Sequence, residues 1–284
     1  MMNKALVPLP VVLTFGVNDP CGSAGIHADI ETLGAMGCHC APIITGITSQ
    51  DTAKLYQNIP CPSQMVMEQA RKVLEDMSVV AIKIGPLSST SNIRALHAIL
   101  KNYPNLPIIC DLAFSSMNTA QIPMQEIQEA LAALILPHVK ICILDPQEAK
   151  AMAPEADSLD ACAQHIMGQG ANYVLITRGQ YKNSRLINNF YGNYRHIENF
   201  SFEKLNADFK GAGTTLSAAI AGLVAQGLDI YSAVFKALQF TTECLKNGYR
   251  LGMGRHVPNR LFWARGTTYD YDVATTEQKE KQFG

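Results

Sequence analysis

Short, β-rich apolar runs alternate with segments of helical periodicity along most of this chain. The apolar runs are VVLTF (11 to 15), APIIT (41 to 45), VVAIKI (79 to 84), PIIC (107 to 110), VKICIL (139 to 144) and YVLIT (173 to 177). They are typical of buried strands. The intervening segments place apolar residues on one helical face, with Ser63 and Ser91 as expected N-caps of two helices. The alternation predicts an α/β fold with a mostly parallel central sheet flanked by helices.

Residues 184 to 200 break this alternation. The segments SRLINNFY and YRHIENF flank Gly192-Asn193, a two-residue signal for a hairpin turn. We therefore expect a β-hairpin at the sheet edge or over a site. The last twenty residues, RGTTYDYDVATTEQKEKQFG, are polar and aperiodic. The predicted organisation is one domain over residues 1–264, followed by a polar tail or extension over residues 265–284.

Composition and charge restrict the class of partner. The chain has 284 residues, 48% of them apolar, which is ample for a sizeable core. A net charge of −1 and scattered Lys and Arg residues argue against nucleic acid. No apolar run is long enough to span a bilayer, and Pro8 and Pro10 interrupt the apolar start. Eight cysteines without a C-x-x-C pair predict reduced thiols, so we expect a cytoplasmic protein that binds a small molecule.

The first strand runs into a glycine-rich loop, GVNDPCGSAG, and then into a helix. Ligands of open α/β sheets bind outside the carboxyl ends of strands. Residues expected to border such a cleft are Gly16, Asp19, Gly22, Ala24 and Asp29. The alternative is structural, with Asp19-Pro20 as a turn and the glycines permitting tight packing of strand and helix.

A second glycine-rich segment, Lys210-Gly211-Ala212-Gly213-Thr214-Thr215, opens an apolar helix. Small residues at a helix start leave backbone N–H groups uncovered, and these groups bind anions. The same N–H groups and the helix dipole stabilise the charge on a phosphoryl group during transfer. The alternative is an ordinary helix entry with a threonine cap. The segment does not match a P-loop, because no Gly-Lys-Ser or Gly-Lys-Thr follows.

The two loops together resemble those of the hydroxymethylpyrimidine/phosphomethylpyrimidine kinases of thiamine biosynthesis. This family belongs to the ribokinase-like superfamily, which also contains pyridoxal kinases. The resemblance covers roughly residues 11 to 262, and the matching segments are DPCGSAGIHADIETLGAMG, PIITGITSQDT, VVAIKIGPLSS, GAGTTLSAAIAGLVAQGL and GMGRHVPNRLFW. It implies a ribokinase-like fold and a homodimer. The implied activity is ATP-dependent, Mg²⁺-assisted phosphorylation of a hydroxymethyl or phosphomethyl pyrimidine.

The resemblance also implies roles for individual positions. The implied substrate contacts are Gly16, Ala24, Asp29, Gln50 and Ala113. The implied catalytic, phosphate-handling residues are Gly211, Ala212, Gly213 and Thr214. The implied ATP contacts are Thr177, Arg178, Gly179 and Lys210. The implied magnesium ligands are Asp111 and Glu148. Lys83 is unusual inside an apolar strand, and it either snorkels to the surface or faces the site.

Among the positions that depart from the family pattern, three bear on the expected site. Thr214 stands where the family has a cysteine and other ribokinase-like enzymes an aspartate, and a threonine hydroxyl is too weak an acid to act as a general base near neutral pH. Thr177 replaces a lysine, and Asp145 replaces an asparagine. Three hypotheses therefore stay open: an active pyrimidine kinase, a kinase-derived pyrimidine-binding or regulatory protein with impaired catalysis, and a kinase for another ring alcohol such as pyridoxal.

Overall fold

The computed structural model describes residues 8–87, 89–113, 124–182 and 185–264. Within these ranges the strands are β1 (Val11–Asn18), β2 (His39–Gln50), β3 (Leu55–Pro60), β4 (Val79–Ile84), β5 (Ile108–Asp111), β6 (Ile141–Leu144), β7 (Tyr173–Lys182), β8 (Arg185–Gly192) and β9 (Arg195–Glu203). They form one sheet in the order β3-β2-β1-β4-β5-β6-β7-β8-β9. The six consecutive strands β2, β1, β4, β5, β6 and β7 are parallel. The strands β3, β8 and β9 are antiparallel to their neighbours. The predicted mostly parallel sheet is confirmed.

Helices cover both faces of the sheet. They are α1 (Gly25–Ala35), α2 (Ser63–Asp76), α3 (Thr90–Leu100), α4 (Met124–Ala130), α5 (Pro146–Met152), α6 (Leu159–Gly168), α7 (Ala212–Ala225) and α8 (Ile230–Lys246). After α4, a π-helical turn (Leu131–Ile135) and a 3₁₀ turn (Leu136–His138) lead into β6, and a last 3₁₀ turn spans Phe262–Ala264.

Side chains that alternate along the strands belong to two apolar cores, one on each face of the sheet. Phe15 and Ile82 pack with α2 to α6, whereas Val12 and Ala81 pack with α1, α7 and α8. This follows from the two-residue period of a strand, which sends neighbouring side chains to opposite faces. Helix α7 is buried over ten consecutive residues, because it packs between the sheet, α1 and α8. Its apolar, small-residue composition is therefore a packing requirement.

The order of strands reverses at β1. The chain passes from β1 through α1 to β2 on one side, and it returns through α2 to β4 on the other side of β1. The two connecting helices lie on opposite faces of the sheet. Such a reversal opens a crevice outside the carboxyl ends of the two strands, and in α/β sheets this is where ligands bind.

All six predicted strands are present, but the sequence patterns missed β3. This strand is an exposed edge with the burial pattern of a mostly solvated segment, so it lacks the apolar run that marks the others. The predicted hairpin is confirmed as β8 and β9. Its turn was placed wrongly, since Asn193 and Tyr194 carry the positive φ angles of 51° and 58°, while Gly192 ends β8. Both central residues of such a turn need positive φ, and Asn193 accepts this readily.

Both predicted serine caps were wrong. Helix α2 begins at Ser63 with Pro62 as its N-cap, so Ser63 is already inside the helix. Helix α3 begins earlier than expected, and Ser89 accepts a hydrogen bond from the Asn92 N–H. Ser89 and Ser91 are equally suitable N-cap residues by type. The local sequence therefore does not decide which of them caps α3.

The proposed tail over residues 265–284 lies outside the described residues, so the division at residue 264 stays a prediction. None of the helices in the described ranges has the length and apolar character that crossing a bilayer requires. All eight cysteines lie in these ranges as free thiols, and five of them are buried.

We predict that Gly170→Ala destabilises the fold, whereas Gly168→Ala does not. Gly170 has a φ of +119°, and a Cβ there would lie 2.5 Å from the Pro137 Cα atom. Gly168 ends α6, and a Cβ there would meet open space. We expect Gly170→Ala to cost about 1–3 kcal/mol in the free energy of unfolding, measured by urea denaturation. Equal stability of the two variants would contradict this interpretation of the α6–β7 connection.

Candidate active site

A cleft of about 990 Å³ opens at the carboxyl ends of the parallel strands. Its volume is at the upper end of the range found for small-molecule sites. The ends of β1, β5 and β6 border it, together with the start of α7 and one side of α8. The sheet reversal and the two glycine-rich segments therefore meet at one site.

The first glycine-rich loop is closed by a buried carboxylate. Asp19 Oδ1 accepts a hydrogen bond from the Cys21 N–H and Asp19 Oδ2 accepts one from the Ala24 N–H, both at 2.9 Å. Gly25 has a φ of +60°, and a Cβ there would overlap the Val17 carbonyl oxygen. The loop thus folds back onto the end of β1, and Ala24 reaches the cleft. The structural role of Asp19 and the binding role of the loop are compatible.

The second segment presents an uncapped helix start. Gly211 is the N-cap of α7 with a φ of +92° and provides no side-chain hydrogen bond, so the alternative of a threonine cap was wrong. Thr215 instead donates its hydroxyl back to the Gly211 carbonyl at 2.9 Å. Ala212, Gly213 and Thr214 line the cleft at the first turn of α7. Their backbone N–H groups are the ones that an α-helix leaves without internal partners, and this predicts an anion-binding site.

Lys210 lines the cleft but is held by protein groups. Its Nζ donates a hydrogen bond to the Asp51 carbonyl at 2.7 Å and lies 3.7 Å from Asp19 Oδ2. The side chain is 92% buried. Lys210 therefore joins the first loop to the turn after β2, and Gln50, at the end of β2, is brought to the cleft beside it.

Arg260 donates hydrogen bonds to both glycine-rich segments. Its Nε donates to Thr215 Oγ1 at 2.9 Å, and its Nη atoms donate to the Gly22 and Ser23 carbonyls. Its charge faces Glu31 at 3.0 Å. The guanidinium has several fixed donors, so one buried side chain satisfies carbonyls and a hydroxyl that are distant in sequence. The relative position of the loop and the α7 start depends on it.

Two carboxylates lie at the centre of the cleft. Asp111 ends β5 and accepts a hydrogen bond from Ser217 at 3.3 Å, while a Cβ on Gly213 would lie 3.7 Å from its Oδ2. Burial, together with the neighbouring charges of Glu148 and Asp29, raises the pKa of Asp111 to about 7. Glu148 is fixed in a capping box, since Asp145 and Glu148 each accept a hydrogen bond from the other's backbone N–H at 2.9 Å.

This donor set fits a magnesium ion. Carboxylate oxygens are the ligands that Mg²⁺ prefers, and the ion usually keeps several water or phosphate ligands besides one or two carboxylates. The described residues contain no cluster of three or more side chains of the kind that would enclose a metal. Asp111 and Glu148 therefore match a Mg²⁺ site in which the protein supplies two carboxylates and nucleotide phosphates complete the coordination of the ion.

Asp29 and Gly16 lie beneath the cleft and do not line it. Asp29 Oδ1 lies 2.9 Å from Lys83 Nζ, and both side chains are fully buried. Burial raises the pKa of Asp29, and the Lys83 ammonium opposes this effect. Lys83 therefore neither snorkels nor faces the cleft, because its charge is matched inside the core. A Cβ on Gly16 would lie 3.6 Å from Asp29 Oδ2, so Gly16 brings the end of β1 close to this ion pair.

The expected nucleotide contacts lie at the far end of the cleft. Thr177 donates its hydroxyl to the Leu144 carbonyl at 3.3 Å, and Arg178 lies 3.4 Å from Asp145 with a φ of +57°. Both line the cleft, whereas Gly179 does not. A Cβ on Gly179 would lie 2.7 Å from Asn189 Oδ1, so this glycine permits the close approach of β8.

The other expected residues line the cleft except Asp19 and Gly22, which do not, and two arginines were missed. Gln50, Ala113, Ala24 and the α7 start line it together with Arg255. Arg255 and Arg260 belong to the segment GMGRHVPNRLFW, in which no local sequence pattern indicates a role for either arginine. Neither neighbours the other site residues in sequence, and only the close pairing of this segment with residues 52 and 208 brings it to the cleft.

This nine-stranded α/β sheet, with an uncapped helix start and two carboxylates at the cleft along its carboxyl edge, has the ribokinase-like fold of small-molecule kinases. Solved structures share this fold: a pyridoxal kinase from Bacillus subtilis superimposes with a TM-score of 0.81 at 23% identity, covering 89% of this chain and 98% of that one. A phosphomethylpyrimidine kinase from Clostridium difficile superimposes with a TM-score of 0.70 at 25% identity, covering 83% and 99%.

Sequence comparison assigns the family. The family model described as phosphomethylpyrimidine kinase matches residues 19–259, and the chain belongs to that family. The hydroxymethylpyrimidine/phosphomethylpyrimidine kinase of Aquifex aeolicus is 28% identical over 252 residues, covering 87% of this chain and 98% of the relative. The chloroplastic thiamine biosynthetic bifunctional enzyme of Arabidopsis thaliana is 26% identical, covering 84% of this chain and 47% of the relative.

We predict that the Lys83–Asp29 pair is costly to break but not needed for stability. Lys83→Met leaves a carboxylate buried without its counter-ion, and we expect a loss of about 3–5 kcal/mol in the free energy of unfolding. The double variant Lys83→Met/Asp29→Leu removes both charges and should recover most of that loss. Urea denaturation followed by circular dichroism measures both. A double variant as unstable as the single one would show that the pair itself stabilises the fold.

Proposed function

We propose that the protein transfers the γ-phosphoryl group of ATP to a hydroxymethyl or phosphomethyl pyrimidine, as in thiamine biosynthesis. The observation that supports this most is the uncapped start of α7, which faces a cleft with Asp111 directly beneath Gly213. Membership of the phosphomethylpyrimidine kinase family supports the substrate class. Neighbours solved with ADP or an ATP analogue bound support the nucleotide.

The two ligands would occupy opposite ends of the cleft. We place the pyrimidine at the β1 and β2 end, where Ala24 and Gln50 line the cleft, with Ala113 after β5 on its inner side. The side-chain amide of Gln50 both donates and accepts hydrogen bonds, as a ring nitrogen and an exocyclic amine require. Asp29 and Gly16 would act from below, by holding the end of β1 in place. We place the nucleotide at the β7 end, beside Thr177 and Arg178, with Gly179 supporting that strand.

The chain's own groups act on the phosphoryl group mainly by position and charge. The first-turn N–H groups of α7 would stabilise the charge on the transferring phosphoryl group. Asp111 and Glu148 would hold Mg²⁺, which neutralises phosphate charge when bound. Lys210 would contribute through the loop that it anchors, because its ammonium is already bonded to protein oxygens. Thr214 can hydrogen-bond the acceptor but not take its proton.

ADP release tests this proposal against the alternatives. We expect ADP release with the aminopyrimidine alcohol or its phosphate ester, and none above background with pyridoxal or ribose. Asp111→Asn should lower kcat by at least about 10²-fold, since it removes a charge from the magnesium site. The protein should stay folded, because asparagine can still accept the Ser217 hydrogen bond. Asp76→Asn, at the exposed end of α2, is the charge-matched control.

The other hypotheses give distinct results in the same assay. Turnover of pyridoxal with no pyrimidine turnover would make the protein a kinase for another ring alcohol. Calorimetric binding of the pyrimidine with no ADP release would make it a binding protein. The higher structural similarity to pyridoxal kinases does not decide between rings, because those structures share only the fold at 21–23% identity.

We also propose a homodimer through the β2–β3 edge. Ile47 and Ile59 are register partners on these strands and each is 56% exposed. An edge strand with an apolar face favours pairing with a second copy. We expect light scattering after gel filtration to give twice the mass of the chain, and Ile47→Ser/Ile59→Ser to give the monomer. Ile30→Ser, on the exposed side of α1, is the control. A monomeric wild-type protein would contradict the proposal.

A cytoplasmic location is the last part of the proposal. The eight free thiols support it, because oxidising compartments favour disulfides. Fractionation of the native host, with an antibody against the chain, would test it.

A further inference from the structure

Arg260 is a fully buried cation next to the cleft, but it is not among the described residues that line it. Its Nη1 donates a hydrogen bond to the Gly22 carbonyl at 3.3 Å, and its Nη2 donates one to the Ser23 carbonyl. Its Nε donates to Thr215 Oγ1 at 2.9 Å. All three guanidinium nitrogens are therefore bonded to protein oxygens, and the side chain acts on other protein groups, not on a ligand.

The Thr215 hydroxyl carries this contact to the start of α7. A hydroxyl has one hydrogen, and Thr215 donates it to the Gly211 carbonyl at 2.9 Å. The Thr215 oxygen is thus the acceptor for Arg260 and the donor to the N-cap residue. Thr215 is itself fully buried and does not line the cleft, whereas Ala212, Gly213 and Thr214 do. A change at the Thr215 hydroxyl reaches a ligand only by moving the first turn of α7.

Arg260 is anchored to parts of the fold outside the two glycine-rich segments. The preceding Asn259 N–H donates to the Cys244 carbonyl at 2.9 Å, which fixes this part of the chain on α8. The guanidinium charge lies 3.0 Å from Glu31 on α1. A planar guanidinium holds several acceptors in one fixed arrangement, which the single ammonium of a lysine does not reproduce. Arg260 therefore sets the first turn of α7 relative to the first loop, α1 and α8.

The position of this turn matters because its active groups are backbone N–H groups. They stabilise a transferring phosphoryl group only where they point at its oxygens. Backbone groups have no rotamers with which to compensate for a shift of their helix. A misplacement of about 1 Å at a reacting centre can cost about 10²-fold in rate.

We propose that Arg260 is a positioning residue for phosphoryl transfer and that it acts through the Thr215 hydroxyl. It touches neither the nucleotide nor the acceptor, and it holds the first-turn N–H groups of α7 where the phosphoryl group is transferred. Loss of this contact lowers the rate of transfer more than it weakens the binding of either substrate. This inference rests on the proposed kinase function and names a residue on which the rate of that reaction depends.

Thr215→Val and Thr215→Ser form the matched pair that tests the relay. Valine keeps the shape of threonine and removes the hydroxyl, whereas serine keeps the hydroxyl and removes the methyl group. We expect Thr215→Val to lower kcat about 10–100-fold, with both KM values within about threefold of wild type. Thr215→Ser should keep kcat within about threefold. Urea denaturation and circular dichroism establish that each variant is folded at the assay temperature.

Three results with this pair would overturn the proposal. An unchanged kcat in Thr215→Val would show that the hydroxyl only supports the fold. A raised KM with an unchanged kcat would show that it contributes to binding alone. Equal losses in Thr215→Val and Thr215→Ser would assign the effect to packing of the methyl group.

Arg260→Lys tests the arginine itself, and Arg185→Lys is its matched control. Arg185 makes the same kinds of bond, with Nε to the Ser201 hydroxyl and Nη2 to the Ser201 carbonyl, both at 2.7 Å, but it is exposed on β8. We expect Arg260→Lys to lower kcat about tenfold or more, although the positive charge is kept. Arg185→Lys should leave kcat unchanged. Equal kcat values in the two variants would contradict a positioning role for Arg260.

Calorimetry with ADP and aluminium fluoride separates this inference from the proposed function. Aluminium fluoride beside ADP mimics the transferring phosphoryl group, and such mimics bind more tightly than the ground state. We expect wild-type protein to bind ADP with aluminium fluoride and Mg²⁺ more tightly than ADP and Mg²⁺. Thr215→Val should lose about 10–100-fold of this excess affinity and bind ADP as the wild type does.

The two proposals fail in different ways. If no acceptor yields ADP with the wild type, the kinase function fails, and the aluminium fluoride comparison still decides the role of Arg260. A wild type without excess affinity for the mimic, or a Thr215→Val variant with all of it, would overturn the positioning role.

Discussion

The contact between Gly211 and the Ser23 carbonyl is the constraint on which the rest of the site depends. A Cβ at Gly211 would overlap that oxygen, so only glycine lets the start of α7 approach the first loop so closely. Arg260 fixes the contact by donating hydrogen bonds to the loop carbonyls and to Thr215. Because a helix start binds anions only where its N–H groups face the ligand, this contact sets the position of the proposed phosphoryl site.

The charges in and beneath the cleft differ in how fully they are compensated. Lys83 and Asp29 neutralise each other in the core, and Lys210 is paired with Asp19. Asp111 is different, since burial raises its pKa to about 7, and the Lys83 charge and the hydrogen bond from Ser217 compensate only in part. An incompletely compensated carboxylate in a cleft is the electrostatic state that a bound cation stabilises.

Local patterns predicted the elements more reliably than their boundaries. The six buried strands follow from apolar runs, and the order of strand and helix predicted the parallel sheet. The edge strand β3 was missed because solvent exposure removes the apolar signal on which such predictions depend. The serine caps and the hairpin turn were misplaced by one or two residues, because neighbouring polar residues satisfy a helix end or a turn about equally well in isolation.

The sequence by itself determined the family, the alternating α/β order and the two glycine-rich segments, since these depend on residue type and local spacing. It also placed Thr214 at the helix start. Only the tertiary structure decided that Lys210 is bonded to protein, that Asp29 pairs with Lys83 below the cleft, and that Arg255 reaches the cleft. These facts depend on contacts between segments distant in the chain, and no local pattern encodes which charge meets which partner.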